Sequence, residues 1–303
     1  MDSLNVMING IKLKNPLIAA SGVVGYGEEI EKFLPISKFG AFAVKGTTKQ
    51  KREGNASPRI AETPAGMLNS IGLENPGIDY FIEKILPSLT LKGTEIIANI
   101  SGSSYEEYEY LTERLDETNV NLIELNVSCP NVKEGGLMFG SDVKTIAKVV
   151  SLARKKTNKT LIAKLSPNVG SIVEIAKSAE AAGADALTLI NTLHGMKIDI
   201  KTRRPILKNN FGGLSGACLL PVATYLIWKT KKEVKIPIVG CGGIMSYEDA
   251  LELIIAGASL FQIGTAILKD PTVVLKILKD LKNWLKNNKI RNISELVGSL
   301  KEW

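Results

Sequence analysis

Short apolar runs recur along the chain at 17–20, 41–45, 96–100, 122–127, 161–165, 186–190, 238–240 and 260–263. Runs this short and this continuous suit strands that are buried on both faces of a parallel sheet. Between most of them the apolar spacing changes to that of a helix. The pattern predicts helices over 105–118, behind the cap residues Ser103 and Ser104, and over 143–155, behind Ser141 and Asp142. Further helices are expected over 169–182, stopped by Gly183, over 218–231, and over 247–256, stopped by Gly257. Ahead of the first run, Asn9-Gly10 separates two alternating segments, the dipeptide that best accepts a type I′ hairpin turn. Eight strand-then-helix units predict a single (β/α)8 TIM barrel over residues 1–303 with an N-terminal β-hairpin. An open doubly wound sheet is the alternative. Its G-x-G-x-x-G fingerprint is missing after the first strand, where Gly22, Gly25 and Gly27 have the wrong spacing.

Composition narrows the chemistry. The 303 residues include one histidine, His194, so metal sites built on two or three histidines are excluded, and only one histidine could serve a nucleophilic relay. Cys129, Cys218 and Cys241 are odd in number and widely spaced, which argues against a disulfide framework and supplies too few ligands for an iron–sulfur cluster. No metal site is expected. The longest uncharged apolar stretch, 253–261, is far short of the ~20 residues of a membrane span. The N-terminus has no basic-then-apolar leader pattern, and a cytoplasmic protein is the simple expectation.

The formal net charge is +7. Residues 269–303 hold eight basic and four acidic side chains. There Val274, Ile277, Leu278, Leu281, Trp284 and Leu285 form a helical stripe, with Lys276, Lys279, Lys282 and Lys286 on other faces. Without interleaved aromatic residues these lysines read as a solvated face, not as a nucleic-acid patch.

The C-terminal ends of barrel strands build the active site of this fold. Here they carry Ser21-Gly22, Lys45-Gly46, Asn99, Asn126 through Asn131, Lys164, Asn191-Thr192, Gly242-Gly243 and Gly264-Thr265. A lysine at a strand end can simply reach for solvent, but two at neighbouring mouth positions suggest an anionic ligand. Paired glycines can mark turns, yet after the seventh and eighth strands their bare N–H groups suit a phosphate. Cys218 and Cys241 read as small core filler. Cys129 differs, because it sits in a loop just past the fourth strand, where a thiol of ordinary pKa ~8.5 can act as a base.

With these residues in place, the sequence Asn126-Val-Ser-Cys-Pro-Asn131 resembles the catalytic loop of class 1 dihydroorotate dehydrogenases. The resemblance extends over essentially the whole chain. It includes Ala20-Ser21-Gly22, Val44-Lys45, Gly54-Asn55 through Pro58-Arg59, Asn69-Ser-Ile-Gly-Leu73, Lys164-Leu-Ser-Pro-Asn168, Ile190-Asn-Thr192, Gly212-Gly-Leu-Ser-Gly216 and both Gly-rich ends. The stretches 61–68 and 132–136 resemble the B type, which works with an electron-transfer partner and NAD.

That resemblance implies oxidation of dihydroorotate to orotate in pyrimidine synthesis, with one FMN per chain. It implies Cys129 as the base that removes the C5 proton while FMN takes the C6 hydride. FMN contacts would come from Ser21, Lys45, Gly46, Asn99, Asn126, Lys164, Ile190, Gly216, Gly242, Gly243, Gly264 and Thr265. Substrate contacts would come from Lys45, Asn69, Ser70, Ile71, Gly72, Leu73, Asn126, Asn131, Asn191 and Thr192. Gly46 and Ser70 depart from the commonest family residues but are small. FAD and a [2Fe-2S] cluster are expected on the partner subunit only, in a heterotetramer of two catalytic and two electron-transfer chains built on a catalytic dimer. Rival readings are the FMN-bearing half of a dihydropyrimidine dehydrogenase, whose loop usually places His where Asn131 stands, a tRNA dihydrouridine synthase, and a non-catalytic barrel.

Overall fold

In a computed structural model of the chain, which describes residues 3–127, 140 and 142–303, the eight apolar runs form the staves of a closed parallel barrel. Its strands are Leu17–Ala19, Ala41–Ala43, Glu95–Ile100, Leu122–Asn126, Thr160–Lys164, Ala186–Leu189, Ile238–Cys241 and Leu260–Ile263. Each pairs with the next along the chain, and Phe261 opposite Leu17 closes the ring. The runs are mostly apolar because both faces are covered: the interior packs on itself and the outer face lies under helices. Leu17, Ile18, Leu122, Ile123, Leu161 and Ile162 have no solvent exposure.

The helices Tyr105–Asp116, Val143–Lys156, Ile172–Ala181, Leu220–Lys231 and Tyr247–Ala256 occupy the expected crossovers, with adjusted ends. The third starts at Ile172, not at 169, because the Ser171 hydroxyl accepts the Glu174 N–H and caps it there. The fourth starts at Leu220, where Pro221 opens the first turn after a tight 3-10 turn over Ala217–Leu219. The terminal helix Val273–Asn287 buries Val274, Ile277, Leu281 and Leu285, while Leu278 and Trp284 are only partly covered. Its four lysines at 276, 279, 282 and 286 are exposed.

The N-terminal hairpin forms as expected, with Val6 opposite Leu13 and Ile8 opposite Ile11. Asn9 and Gly10 both take positive φ, 44° and 80°, the requirement of a type I′ turn. Asn9 Nδ2 donates to Thr160 Oγ1 at 3.2 Å, so this hairpin covers the end of the barrel where strands begin. The opposite end carries a sheet that the apolar pattern does not announce. Strands Leu193–Gly195, Gly212–Ser215, Gly66–Asn69 and Ile60–Thr63 pair in that order, all antiparallel. They come from the second and sixth crossovers and stand over the strand ends. No described helix is long and apolar enough to cross a membrane.

Candidate active site

A cavity of about 400 Å3 opens among the C-terminal strand ends beneath that antiparallel sheet. Every described residue of the expected site except Asn99 lines it. Cys129 and Asn131 lie outside the described residues.

One end of the cavity is built from glycines. Gly216, Gly242 and Gly243 adopt φ of 103°, 126° and 87°, a backbone region costly for side-chain-bearing residues. A Cβ on Gly243 would stand 2.2 Å from the backbone nitrogen of Leu220, at the start of the helix Leu220–Lys231. Loop and helix N-terminus therefore approach each other closely, and the glycines line the cavity without side chains, an arrangement suited to a phosphate. Thr265 Oγ1 donates to Ser215 Oγ at 2.9 Å, fastening the end of the eighth strand to the overlying sheet.

The opposite side is lined with amides and hydroxyls. Asn191 Nδ2 approaches Asn126 Oδ1 at 3.5 Å, and Asn191 Oδ1 accepts the Thr192 N–H at 2.8 Å. Asn69 Nδ2 donates to the Gly213 carbonyl at 3.3 Å. The segment from Ser70 to Leu73 is held by Asn55, whose Nδ2 donates to the Ser70 carbonyl and hydroxyl at 3.1 and 2.9 Å. Gly72 has to be glycine there, because at φ 79° its Cβ would stand 2.6 Å from Asn55. Asn168 Nδ2 donates to the Thr192 carbonyl and its Oδ1 accepts the His194 N–H, both at 2.9 Å. His194 itself is exposed at the rim, its ring edge-on to Phe211 with centroids 5.6 Å apart.

Lys45 is half-buried in the wall, and among the described residues its ammonium makes no hydrogen bond or ion pair. Burial pushes its pKa below the ordinary lysine value, with nearby Glu74 opposing that and Arg59 adding to it. Arg59 and Glu74 are themselves paired at 2.6 Å. A desolvated cation facing a cavity favours an anion there. Ser21 Oγ donates to the Val44 carbonyl at 2.7 Å, which joins the ends of the first two strands beside Lys45.

The floor is a buried polar cluster. Lys164 is 5 % exposed, so the reading of a lysine reaching for solvent is excluded. Its Nζ donates to Gln262 Oε1 at 3.1 Å and lies 3.8 Å from Glu124 Oε1. Burial is the largest single influence and opposes the charge on Lys164, but Glu124 and Cys241 together outweigh it and hold the pKa above the ordinary value. Glu124 and Gln262 are the functional-site neighbours that the strand pattern conceals. The available signal was a polar residue in the middle of an otherwise apolar run, in Leu-Ile-Glu-Leu-Asn and Leu-Phe-Gln-Ile.

Asn99, expected among the flavin contacts, does not itself line the cavity. It is fully buried behind Gly46, with its Oδ1 3.0 Å from where a Cβ on that glycine would begin. Among the described residues this Oδ1 has no hydrogen-bond partner, while Asn99 Nδ2 donates to Glu124 Oε1. Cys218 is partly exposed and packs against the main core, as expected, whereas Cys241 is not simple core filler. Cys241 ends the seventh strand on the cavity wall, opposite Gln262 in the sheet register, and burial of its thiol raises the pKa. No cluster of three or more metal-ligating side chains occurs among the described residues.

A glycine cradle, a buried lysine on the floor and a wall of amides stand at the C-terminal end of an eight-stranded barrel, the place where enzymes of this fold carry their active sites. The family model for dihydroorotate dehydrogenase matches residues 3–285, and the chain belongs to that family. It is 48 % identical over 301 residues to "Dihydroorotate dehydrogenase B (NAD(+)), catalytic subunit" of Bacteroides thetaiotaomicron, covering 99 % of each chain. The protein of the same name from Trichlorobacter lovleyi is 50 % identical over 299 residues, 98 % of each chain. That from Thermoanaerobacter pseudethanolicus is 47 % identical over 299 residues, 99 % of each.

Proposed function

We propose that this chain oxidises dihydroorotate to orotate in pyrimidine synthesis, with FMN in its cavity, and that a partner subunit passes the electrons to NAD+. The observation that carries the reading is the convergence of three features in one cavity. They are the Gly216/Gly242/Gly243 cradle, the buried Lys164 and the unpaired Lys45 beside an amide-lined wall.

The residues fit FMN. The cradle and Thr265 suit its phosphate, the orphaned Asn99 Oδ1 behind Gly46 suits a ring N–H, and Lys164 suits an edge that gains negative charge on reduction. Bound FMN supplies the acceptor for the hydride from C6 of dihydroorotate. The chain supplies the rest. Asn69, Asn126, Asn131, Asn191 and Thr192 hold a ring that both donates and accepts hydrogen bonds, because amide side chains do both. Lys45 offers positive charge to the substrate carboxylate. The Cys129 thiolate removes the C5 proton. Two electrons and one proton leave C6 as hydride and one proton leaves C5, which converts the single bond to the double bond of orotate.

Three cysteines in the whole chain cannot ligate an iron–sulfur cluster and leave one free as base, so the electron path to NAD+ needs a second subunit. The phrase "catalytic subunit" in the relatives' names supports a partner. The proposal gives that partner FAD and a [2Fe-2S] cluster and pairs two catalytic with two electron-transfer chains, in the cytoplasm. Purified alone with FMN, the chain is expected to reduce NAD+ negligibly with dihydroorotate as donor. Adding the electron-transfer subunit is expected to restore the rate. Efficient NAD+ reduction by the chain alone would contradict the two-subunit reading.

Lys45 gives a further expected result. Lys45→Met should weaken orotate binding by about 10–100-fold near neutral pH, the worth of a charge-assisted contact. Because burial lowers the pKa of Lys45, its charge in the parent is present below that depressed value and is lost as pH rises through it. The gap between parent and variant should therefore close at a pH below that of an ordinary lysine. Orotate titrations of both proteins across the alkaline range check this, and a gap independent of pH would remove Lys45 as the anion's partner.

A further inference from the structure

Glu124 lies in the middle of the fourth barrel strand with no solvent exposure, and it takes part in every polar link of the cavity floor but one. Its Oε1 accepts from Asn99 Nδ2 at 2.6 Å, and its Oε2 accepts from Thr188 Oγ1 at 2.7 Å and Gln262 Nε2 at 2.8 Å. Lys164 Nζ lies 3.8 Å from Oε1 and donates to Gln262 Oε1 at 3.1 Å. We propose that Glu124 is the positioning residue of this site, a carboxylate that keeps Lys164 charged and turns the acceptor face of Asn99 toward the flavin. The inference rests on the FMN reading above.

The argument is one of donors and acceptors. An ionised carboxylate only accepts, so each group that faces it must donate. Asn99 therefore turns its NH2 toward Glu124, which leaves Oδ1 facing Gly46 without a partner among the described residues. Gln262 likewise turns its NH2 to Glu124 and its carbonyl to Lys164. The orientation of two amides follows from one charge. The same charge pairs Lys164, for which burial alone would favour the neutral amine. The titratable groups facing Lys164 are Glu124 and Cys241, and burial keeps the Cys241 thiol protonated. Glu124 is thus the anion that sustains the cation on the floor.

Glu124→Gln has nearly the same shape and removes the charge. Its amide keeps one acceptor oxygen for Thr188 and Gln262 and puts an NH2 where Oε1 stood, so Asn99 must turn round and offer a donor toward Gly46 where it offered an acceptor. Lys164, buried without a counter-ion, loses its proton in the oxidised protein and regains it when reduction puts negative charge above it. The experiment uses the full chain loaded with FMN and measures the flavin midpoint potential by dye equilibration from about pH 6 to 9. The parent should take up about one proton per two electrons, and Glu124→Gln should approach about two. Its apoprotein should also bind FMN about tenfold more weakly, as measured by quenching of flavin fluorescence. Glu124→Asp and Thr188→Val both keep the carboxylate and should keep the one-proton uptake, whereas a merely structural role would disturb Thr188→Val as well.

A Glu124→Gln protein that holds FMN and still takes up one proton per two electrons overturns the proposal. Should that variant fail to fold, Glu124→Gln combined with Lys164→Met decides the matter. Recovery of folded protein by far-UV circular dichroism supports Glu124 as the counter-ion of Lys164, since removing both charges removes the unpaired one. Continued failure to fold overturns it. A parent chain that binds no FMN overturns the reading beneath the proposal and is recognised before any variant is made.

Discussion

Replacing Cys129 with alanine is expected to slow bleaching of the bound flavin by dihydroorotate about 10²–10⁴-fold near neutral pH, the usual worth of a positioned base. FMN should remain bound, because the groups proposed to hold it lie on other strand ends, among them Lys164, Gly242, Gly243 and Thr265. Cys129→Ser separates base strength from shape. A hydroxyl is a far weaker acid than a thiol of pKa ~8.5, so the little activity that survives should rise steeply with pH, where the parent levels off once its thiol is ionised. Stopped-flow reduction of each variant by dihydroorotate, followed in the visible flavin band, checks both statements. An unchanged rate in Cys129→Ala would assign the proton to another group. His194 is not that group in this account, because it stands exposed at the rim against Phe211.

Gly243→Ala carries the second large effect. The residue sits at φ 87°, which costs a side chain about 1–2 kcal/mol. The added Cβ would meet Leu220 N, Cα and Cβ at 2.2, 2.4 and 2.5 Å. Two of those atoms are backbone, so a change of rotamer cannot relieve the contact, and either the loop or the helix start must move. Overpacking of this kind costs about 1–3 kcal/mol. Both elements belong to the proposed phosphate cradle, so the damage should reach the ligand. We expect a lower melting temperature and FMN affinity reduced by at least about tenfold. Gly242→Ala is the comparison. It shares the positive φ, at 126°, but its Cβ would meet nothing nearer than Ala223 Cβ at 3.4 Å. Its loss should be distinctly smaller. Equal losses in the two variants would mean that the close approach to Leu220 does not matter.

The barrel was legible in the sequence because all eight staves are covered on both faces, which leaves them as predominantly apolar runs such as Leu161-Ile162-Ala163. The hairpin was legible through Asn9-Gly10, because few other dipeptides tolerate two positive φ angles. The antiparallel sheet over the cavity was not. Its strands are three or four residues long, rich in glycine, and pair across long stretches of chain, as Asn69 does with Gly213. Nothing local marks such a strand, and its partner is supplied only by the closed barrel.

The site divides in the same way. Strand ends gave Lys45, Lys164 and the glycines directly, since the fold itself points those positions at the ligand. Asn55 and Asn168 fall in stretches that carry the family resemblance, but their roles, like that of Gln262, lie in holding other residues and appear only in the fold. Glu124 was visible as a charge in an apolar run, and its meaning appeared only when Asn99, Thr188, Gln262 and Lys164 were found around it. The roles of Cys129 and Asn131 rest on the resemblance of their loop to that of the family, and both fall outside the described residues.

The most direct test is anaerobic mixing of the FMN-loaded chain with dihydroorotate. The account predicts prompt bleaching of the flavin band and formation of one orotate per flavin reduced, with no electron-transfer subunit present. Flavin that stays oxidised with dihydroorotate but is bleached by NADPH would contradict it, and would place this barrel among enzymes that reduce pyrimidines.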